Sequence, residues 1–111
     1  MNIIRNLIGF FTSRGKALTF YRRGMVKAKQ DDRSGAIREY TLAIEMLAAP
    51  ADVQAMALFN RALVHAADNG PLLAVADLNR ILGMDHSPES IKTEARRKLV
   101  RMERRADKSD V

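Results

Sequence analysis

The sequence has no cysteine, no tryptophan and only three prolines and six glycines in 111 residues. Without cysteine the chain has no disulfides, thiolate metal sites or cysteine nucleophiles, and this composition fits a reducing compartment, so we expect a cytoplasmic protein. The scarcity of proline and glycine leaves Ala, Leu, Arg and Met to dominate, and these residues favour helix. A chain of this length builds one hydrophobic core, so the sequence predicts a single all-α domain.

Long apolar runs are also missing. The most apolar stretch near the start, IIRNLIGFF, is too short to span a bilayer and is interrupted by Arg5. It lacks the uninterrupted core and cleavage pattern of a secretory signal. Its apolar residues fall at helical spacing, and they are Ile4, Leu7, Ile8 and Phe11. Residues 1–15 are therefore predicted to form an amphipathic helix that packs on the rest of the chain, with a second copy or a membrane surface as alternatives.

Acidic residues are absent from the first thirty positions, which carry seven Lys or Arg. Residues 31–88 carry four basic and eight acidic residues, and residues 89–111 carry eight and five. Two basic ends thus flank an acidic middle. This pattern would favour an acidic partner or an anionic surface, although charge-rich helical faces also keep small proteins soluble.

No set of residues with the spacing of a catalytic or metal site is present. His65 and Asp68 lie at i and i+3 on a predicted helix, but no further ligand recurs at a matching interval. Asp85, His86 and Ser87 are adjacent and cannot converge as orienter, base and nucleophile. A glycine-rich phosphate loop is also lacking. We therefore predict a protein that is not an enzyme and holds no cofactor or metal.

The spacing of the apolar residues and the positions of the turn residues predict five helices. Their expected ranges are 16–30, 34–48, 51–68, 71–83 and 88–105, with 106–111 as a disordered tail. Asn69-Gly70-Pro71 is expected to turn the chain, with Gly70 as the left-handed residue. Ser87 is expected to cap the last helix, whose narrow apolar stripe comprises Ile91, Ala95, Leu99 and Met102.

The chain contains an internal repeat. Residues 20–44 align without gaps on residues 58–82 at a shift of 38, which matches Arg23 with Arg61 and Ala36 with Ala74. Val26 with Val64 and Ala28 with Ala66 complete the identities, and Glu39 matches Asp77 in type, both expected on an outer face. A duplicated helical hairpin is the simplest interpretation.

The two units resemble the tetratricopeptide repeat (TPR) family, with its W-x2-L-G-x2-Y, A-x3-F and P signature. The first unit has Phe20-x2-Arg23-Gly24-x2-Lys27, Ala36-x3-Tyr40 and Pro50; the second has Leu58-x2-Arg61-Ala62-x2-His65, Ala74-x3-Leu78 and Pro88. Arginine replaces the signature leucine, and Lys27 and His65 replace the tyrosine. The resemblance implies a right-handed superhelical stack of hairpins with five to six helices. Repeat one spans about 17–50, repeat two about 55–88, and a capping helix about 88–105.

The resemblance also implies a scaffold that binds another protein or peptide in a groove formed by the first helix of each pair. Carried over onto this sequence, the resemblance implies a groove of Leu18, Tyr21, Met25, Met56, Phe59 and Leu63, with Asn60 beside it. The spacing of the apolar members independently places each set on one helical face. The same stripes could instead be core packing, or could be covered by a second protomer in a homo-oligomer.

A different class of function would use the basic last helix. Its exposed cations, above all Arg96, Arg97, Arg101 and Arg104, could bind nucleic acid or an acidic partner. No aromatic residue is interleaved to stack bases, and Glu94 and Glu103 interrupt the surface. Nucleic acid is therefore the weaker expectation, and the membrane surface is weaker still.

Overall fold

A computed structural model describes residues 12–109 and shows five α-helices, with no strand in that range. The helices are α1 (Ser13–Lys29), α2 (Arg33–Glu45), α3 (Ala51–Ala67), α4 (Pro71–Gly83) and α5 (Glu89–Ser109). The all-α prediction is confirmed. The expected amphipathic helix of residues 1–15 falls mostly outside the described residues, while positions 13–15 already belong to α1.

The last helix is longer than expected. It continues four residues past Arg105, so positions 106–109 are helical and do not belong to the predicted disordered tail. Ala106 and Lys108 favour helix, and the Ser109 hydroxyl donates to the Ala106 carbonyl at 2.8 Å, which satisfies one of the terminal carbonyls.

Both hairpin turns close with the same motif, and the prediction of a left-handed Gly70 is wrong. The left-handed residues are Asp31 (φ 61°) and Asn69 (φ 57°), which lie 38 positions apart. After each, an N–H returns to a carbonyl in the last helical turn, from Asp32 to Lys27 at 2.9 Å and from Gly70 to His65 at 2.7 Å. Gly70 itself has φ −117°, so Asn69, a residue type that tolerates the left-handed conformation, takes the place expected for the glycine.

Ser87 does not cap α5 as predicted. Its buried hydroxyl donates to the Ile81 carbonyl of α4 at 3.1 Å. The Pro88 carbonyl instead accepts the first helical N–H groups, from Ile91 and Lys92, each at 3.1 Å. Ser87 thus ties the end of α4 to the turn that starts α5.

The helices pack as two antiparallel hairpins, α1 with α2 and α3 with α4, and α5 lies against α4. Helix α3 also packs on α2 and α1, so each helix contacts mainly its neighbours along the chain. The core between them is rich in alanine, and its fully or almost fully buried members include Ala36, Tyr40, Ile44, Ala57, Leu58, Ala62, Ala74, Leu78, Ile81 and Ala95. Small side chains at these positions allow close approach of the helices.

The first hairpin shows how close this approach is. A Cβ added to Gly24 would lie 2.5 Å from Cδ1 and Cε1 of the buried Tyr40 ring. In the second hairpin the equivalent residues are Ala62 and Leu78, both fully buried. In the first hairpin the large Tyr40 ring packs on glycine, whereas in the second hairpin the smaller Leu78 side chain packs on alanine. The two hairpins thus fill the space between their helices with different pairs of residues.

Helix α5 repeats the start of α3. The Pro50, Val53 and Ala57 spacing recurs as Pro88, Ile91 and Ala95, again at a shift of 38. Ala57 and Ala95 are both fully buried, and the expected α5 stripe of Ile91, Leu99 and Met102 packs on the core. Helix α5 therefore lies on α4 much as α3 lies on α2.

Candidate functional site

A groove of about 320 Å³ lies where α1, α3 and the first turns of α5 meet. We call it the inner groove, and its lining residues are Tyr21, Met56, Phe59, Asn60, Ser90, Ile91 and Glu94. Two of these three helices, α1 and α3, are those that the resemblance to tetratricopeptide repeats implied, and positions three and seven apart return to one side of a helix.

Four of the seven predicted groove residues line the inner groove, namely Tyr21, Met56, Phe59 and Asn60. The other three do not line it. Leu18 is half-buried on α1, while Met25 and Leu63 are each 37% exposed. The predicted stripe therefore remains accessible along its length, but only its middle forms a concave site.

Sequence reasoning missed the contribution of α5. Ser90, Ile91 and Glu94 complete the inner groove, although α5 was expected only to cap the stack. The recurrence of the Pro50 spacing at Pro88 was the available signal, because it gives Ile91 the place that Val53 has in the preceding helix.

A neutral hydrogen-bonded pair lies in the inner groove. The Asn60 side-chain amide donates to the Tyr21 hydroxyl at 2.7 Å. The Tyr21 ring packs against the buried Tyr40 ring, and the two ring centroids are 6.0 Å apart. The Tyr21 hydroxyl proton and the Asn60 amide oxygen then remain as one donor and one acceptor beside the apolar Met56 and Phe59 side chains.

Electrostatics at the groove are weak. Glu94 at the rim accepts a hydrogen bond from Arg97 at 2.8 Å, and both side chains are well exposed. Such a surface pair contributes little to stability. The inner groove therefore offers apolar contact and neutral hydrogen bonds more than a charge of either sign.

No family model, curated protein or solved structure matches this chain. The likeness to tetratricopeptide repeats thus rests on the signature residues of the two hairpins. Within residues 12–109, no helix is both long and apolar enough to cross a membrane.

A buried ion pair lies inside the α3–α4 hairpin, and the expectation of an outer-face Asp77 is wrong. The Arg61 guanidinium donates to both Asp77 carboxylate oxygens, at 2.8 and 2.6 Å, and Asp77 is only 5% exposed. Arg61 also donates to the Thr41 hydroxyl of α2 at 3.0 Å. Arg61, which replaces the signature leucine, is therefore paired with the buried Asp77 carboxylate and also links the second hairpin to α2 of the first.

The first hairpin lacks this pair although it has the equivalent residues. Arg23 is exposed, and no hydrogen bond joins it to Glu39. Among residues 12–109, the Glu39 Oε2 atom is the one buried side-chain oxygen without a hydrogen-bond partner. Arg23 and Glu39 thus match Arg61 and Asp77 in residue type but do not form the same ion pair.

His65 and Asp68 do not come together as metal ligands. The His65 Nε2 atom lies 3.9 Å from Asp77, whereas Asp68 pairs with Arg33 of α2 at 3.6 Å. The described part of the chain contains no cluster of three or more metal-binding His, Cys, Asp or Glu side chains. His65 is thus a neighbour of the Arg61–Asp77 pair.

Stability should decrease when the pH falls below about 6.5, and His65 should account for part of that decrease. Burial lowers the pKa of His65 below its ordinary value of 6.5, Arg61 adds to this, and the nearby Asp77 carboxylate opposes it. The unfolded chain therefore takes up a proton at a higher pH than the folded chain, so acidification favours unfolding. Urea unfolding at a series of pH values measures the slope.

The matched substitutions are His65→Gln and His86→Gln. His86 is exposed in the turn between α4 and α5. We expect His65→Gln to flatten the dependence of unfolding free energy on pH between about 7 and 5, and His86→Gln to leave it as in the parent. Equal slopes in the parent and His65→Gln would contradict this assignment.

The predicted basic patch is exposed but is not a single cluster. Arg97, Arg101 and Arg104 fall at i, i+4 and i+7 on one side of α5, while Arg96 lies on another side. Arg97 is engaged by Glu94. Lys98, Met102 and Arg105 lie on yet another side, at the edge of a separate cavity.

Proposed function

We propose that this protein is a non-catalytic interaction module of two tetratricopeptide-like hairpins that binds a peptide or helix of another protein in the inner groove. The observation that carries the proposal is the groove itself, a 320 Å³ concavity on the side of α1 and α3 where the resemblance to tetratricopeptide repeats implies a ligand. The absence of cysteine favours the cytoplasm as its location.

The size and lining of the inner groove suit part of a peptide. A volume of this order accommodates a few side chains, and Met56, Phe59 and Ile91 supply apolar contact. Methionine adapts its shape to different partners. The partner that fits therefore presents apolar side chains to this wall.

The Asn60–Tyr21 pair supports a peptide in particular. A peptide unit carries one N–H donor and one C=O acceptor, which match the Asn60 amide oxygen and the Tyr21 hydroxyl. Neither group favours a charged ligand. Nucleic acid would require cations and stacking aromatics at the same place, and the described lining has no Lys or Arg.

The alternative, that these stripes are only core, is weakened by their accessibility. Met25 and Leu63 are exposed to a degree that true core members such as Leu58 and Leu78 are not. A row of accessible apolar side chains beside a concavity marks an interaction surface.

Filling the inner groove should weaken peptide binding without destabilising the fold. Ser90 is exposed at the groove edge in the first turn of α5, so Ser90→Trp adds a ring without deleting any packed side chain. Peptides would be selected from a random library against the full chain, and a labelled selected peptide would be titrated by fluorescence anisotropy. We expect Ser90→Trp to weaken binding by at least about tenfold.

Ser34→Trp is the matched control, since Ser34 is likewise exposed in the first turn of a helix, α2, and is not a lining residue of the inner groove. It should bind as the parent does. Equal weakening by both substitutions, or by neither, would contradict the proposal. If light scattering shows a dimer that Ser90→Trp dissociates, the groove is instead occupied by a second copy of the chain.

A further inference from the structure

A second concavity lies at the other end of α5. We call it the C-terminal cavity. Its volume is about 410 Å³, and its lining residues are Ala66, Pro71, Lys98, Met102, Arg105, Ala106 and Ser109. These come from the end of α3, the start of α4 and the last three turns of α5. The cavity shares no lining residue with the inner groove.

The floor of the C-terminal cavity is apolar. Ala66 and Met102 pack against the core at its base, with Pro71 and Ala106 beside them. The adjacent first turn of α4 exposes two large apolar side chains, Leu72 at 84% and Leu73 at 58%. An apolar concavity next to exposed apolar side chains is typical of a binding surface for an amphipathic segment.

The rim of the cavity is positively charged. Lys98 and Arg105 lie two turns apart on one side of α5, and no carboxylate is among the described lining residues. Burial lowers the pKa of Lys98, and the charges of Arg105 and Arg101 lower it further. The acidic residues that follow on α5, Glu103 and Asp107, fall on the opposite side of the helix. Glu94, one turn before Lys98, pairs with Arg97 instead. Among residues 12–109, no carboxylate of α5 is therefore in ion-pair contact with Lys98 or Arg105.

We propose that the C-terminal cavity binds an acidic amphipathic segment of a partner protein, whose apolar side chains enter the cavity while its carboxylates pair with Lys98 and Arg105. Charge complementarity favours this partner, because its carboxylates would meet the cations of the rim while its apolar side chains meet the apolar floor. A nucleic acid would use the cations but leave the apolar floor unfilled, and no aromatic residue is present in the described lining to stack a base.

The test uses two synthetic probes and the full chain. One probe is a fluorescein-labelled helical peptide with glutamates on one face and leucines on the other. The second is a glutamate-rich peptide of equal length and charge in which serine replaces leucine. Binding is followed by anisotropy at low and moderate salt. We expect the amphipathic probe to bind at least about tenfold more tightly than the serine probe and to weaken as salt rises.

Three variants locate the binding. Lys98→Gln with Arg105→Gln removes the rim charges, and Ala106→Trp fills the cavity while keeping every charge. Arg96→Gln with Arg104→Gln is the matched control, with the same loss of charge at exposed positions that do not line the cavity. The first two variants should each weaken the amphipathic probe by at least about tenfold, and the control by less than about twofold. Circular dichroism establishes that all three keep the parent helicity.

Several results would overturn the proposal. Equal weakening by the rim variant and the control would mean general attraction to a basic helix. Equal affinity for the two probes would mean that the apolar floor plays no part. Tighter binding of single-stranded RNA or of anionic vesicles, with loss in the rim variant, would assign the surface to phosphate groups instead of a protein partner.

Discussion

Replacing Asp77 with alanine is expected to lower the free energy of unfolding by about 3 kcal/mol, the lower end of the range for breaking a buried ion pair. The change leaves the Arg61 guanidinium inside the hairpin without the two oxygens to which it donates. Slight exposure of Arg61, whose side chain is 16% accessible, keeps the loss from being larger. Urea unfolding followed by circular dichroism at neutral pH measures it.

Glu39→Ala is the matched control, since Glu39 is the equivalent residue of the first hairpin and carries no cation in hydrogen-bond contact among residues 12–109. Its loss should be below about 1 kcal/mol. Joining Asp77→Leu with Arg61→Met should recover most of the stability lost by Asp77→Ala, because both charges then leave the interior together. Equal losses at positions 39 and 77 would show that the pair is not what stabilises the second hairpin.

Gly24→Ala is expected to destabilise the protein by about 1 to 2 kcal/mol, although alanine is the better helix former. The added methyl group would meet the Tyr40 ring at 2.5 Å, and that ring is enclosed by the core and cannot move aside freely. Thermal and urea unfolding measure the change. Tyr40→Leu alone should also destabilise, because it leaves a cavity where the ring was.

The double substitution provides the sharper test. Gly24→Ala with Tyr40→Leu gives the first hairpin the same pair of residues that the second hairpin uses, Ala62 and Leu78. Its cost should be less than the sum of the single costs by about 1 kcal/mol or more. Additive losses would mean that the two positions do not share the space between the helices. Ala62→Gly, which should cost about 1 kcal/mol through helix propensity, controls for the backbone effect.

The helices and much of the inner groove follow from local rules. Periodic apolar residues, Pro50 and Pro71 and the repeat spacing place α1 to α4 within a few residues of their observed ends. The groove residues Tyr21 and Phe59 lie together because each is on the corresponding side of an equivalent helix. Such features depend on spacing along one segment, and a single sequence carries that information.

Features that depend on distant partners were missed. Asp77 was expected outside because an isolated carboxylate avoids the interior, and only its contact with Arg61 of another helix makes burial tolerable. Ser87 follows the pattern of a helix cap but donates across to α4. In both cases a residue on another helix decides the outcome.

The contact from Arg61 to Thr41 has a consequence for how the chain unfolds. In a linear array of repeats, stability divides into a part intrinsic to each unit and a part from the interface between neighbours. Arg61 contributes to both, since it binds Asp77 within its own hairpin and Thr41 of the preceding one. Opening the second hairpin therefore also removes a contact that α2 of the first hairpin makes. The two hairpins should lose their structure in a single cooperative transition, without a stable half-folded state.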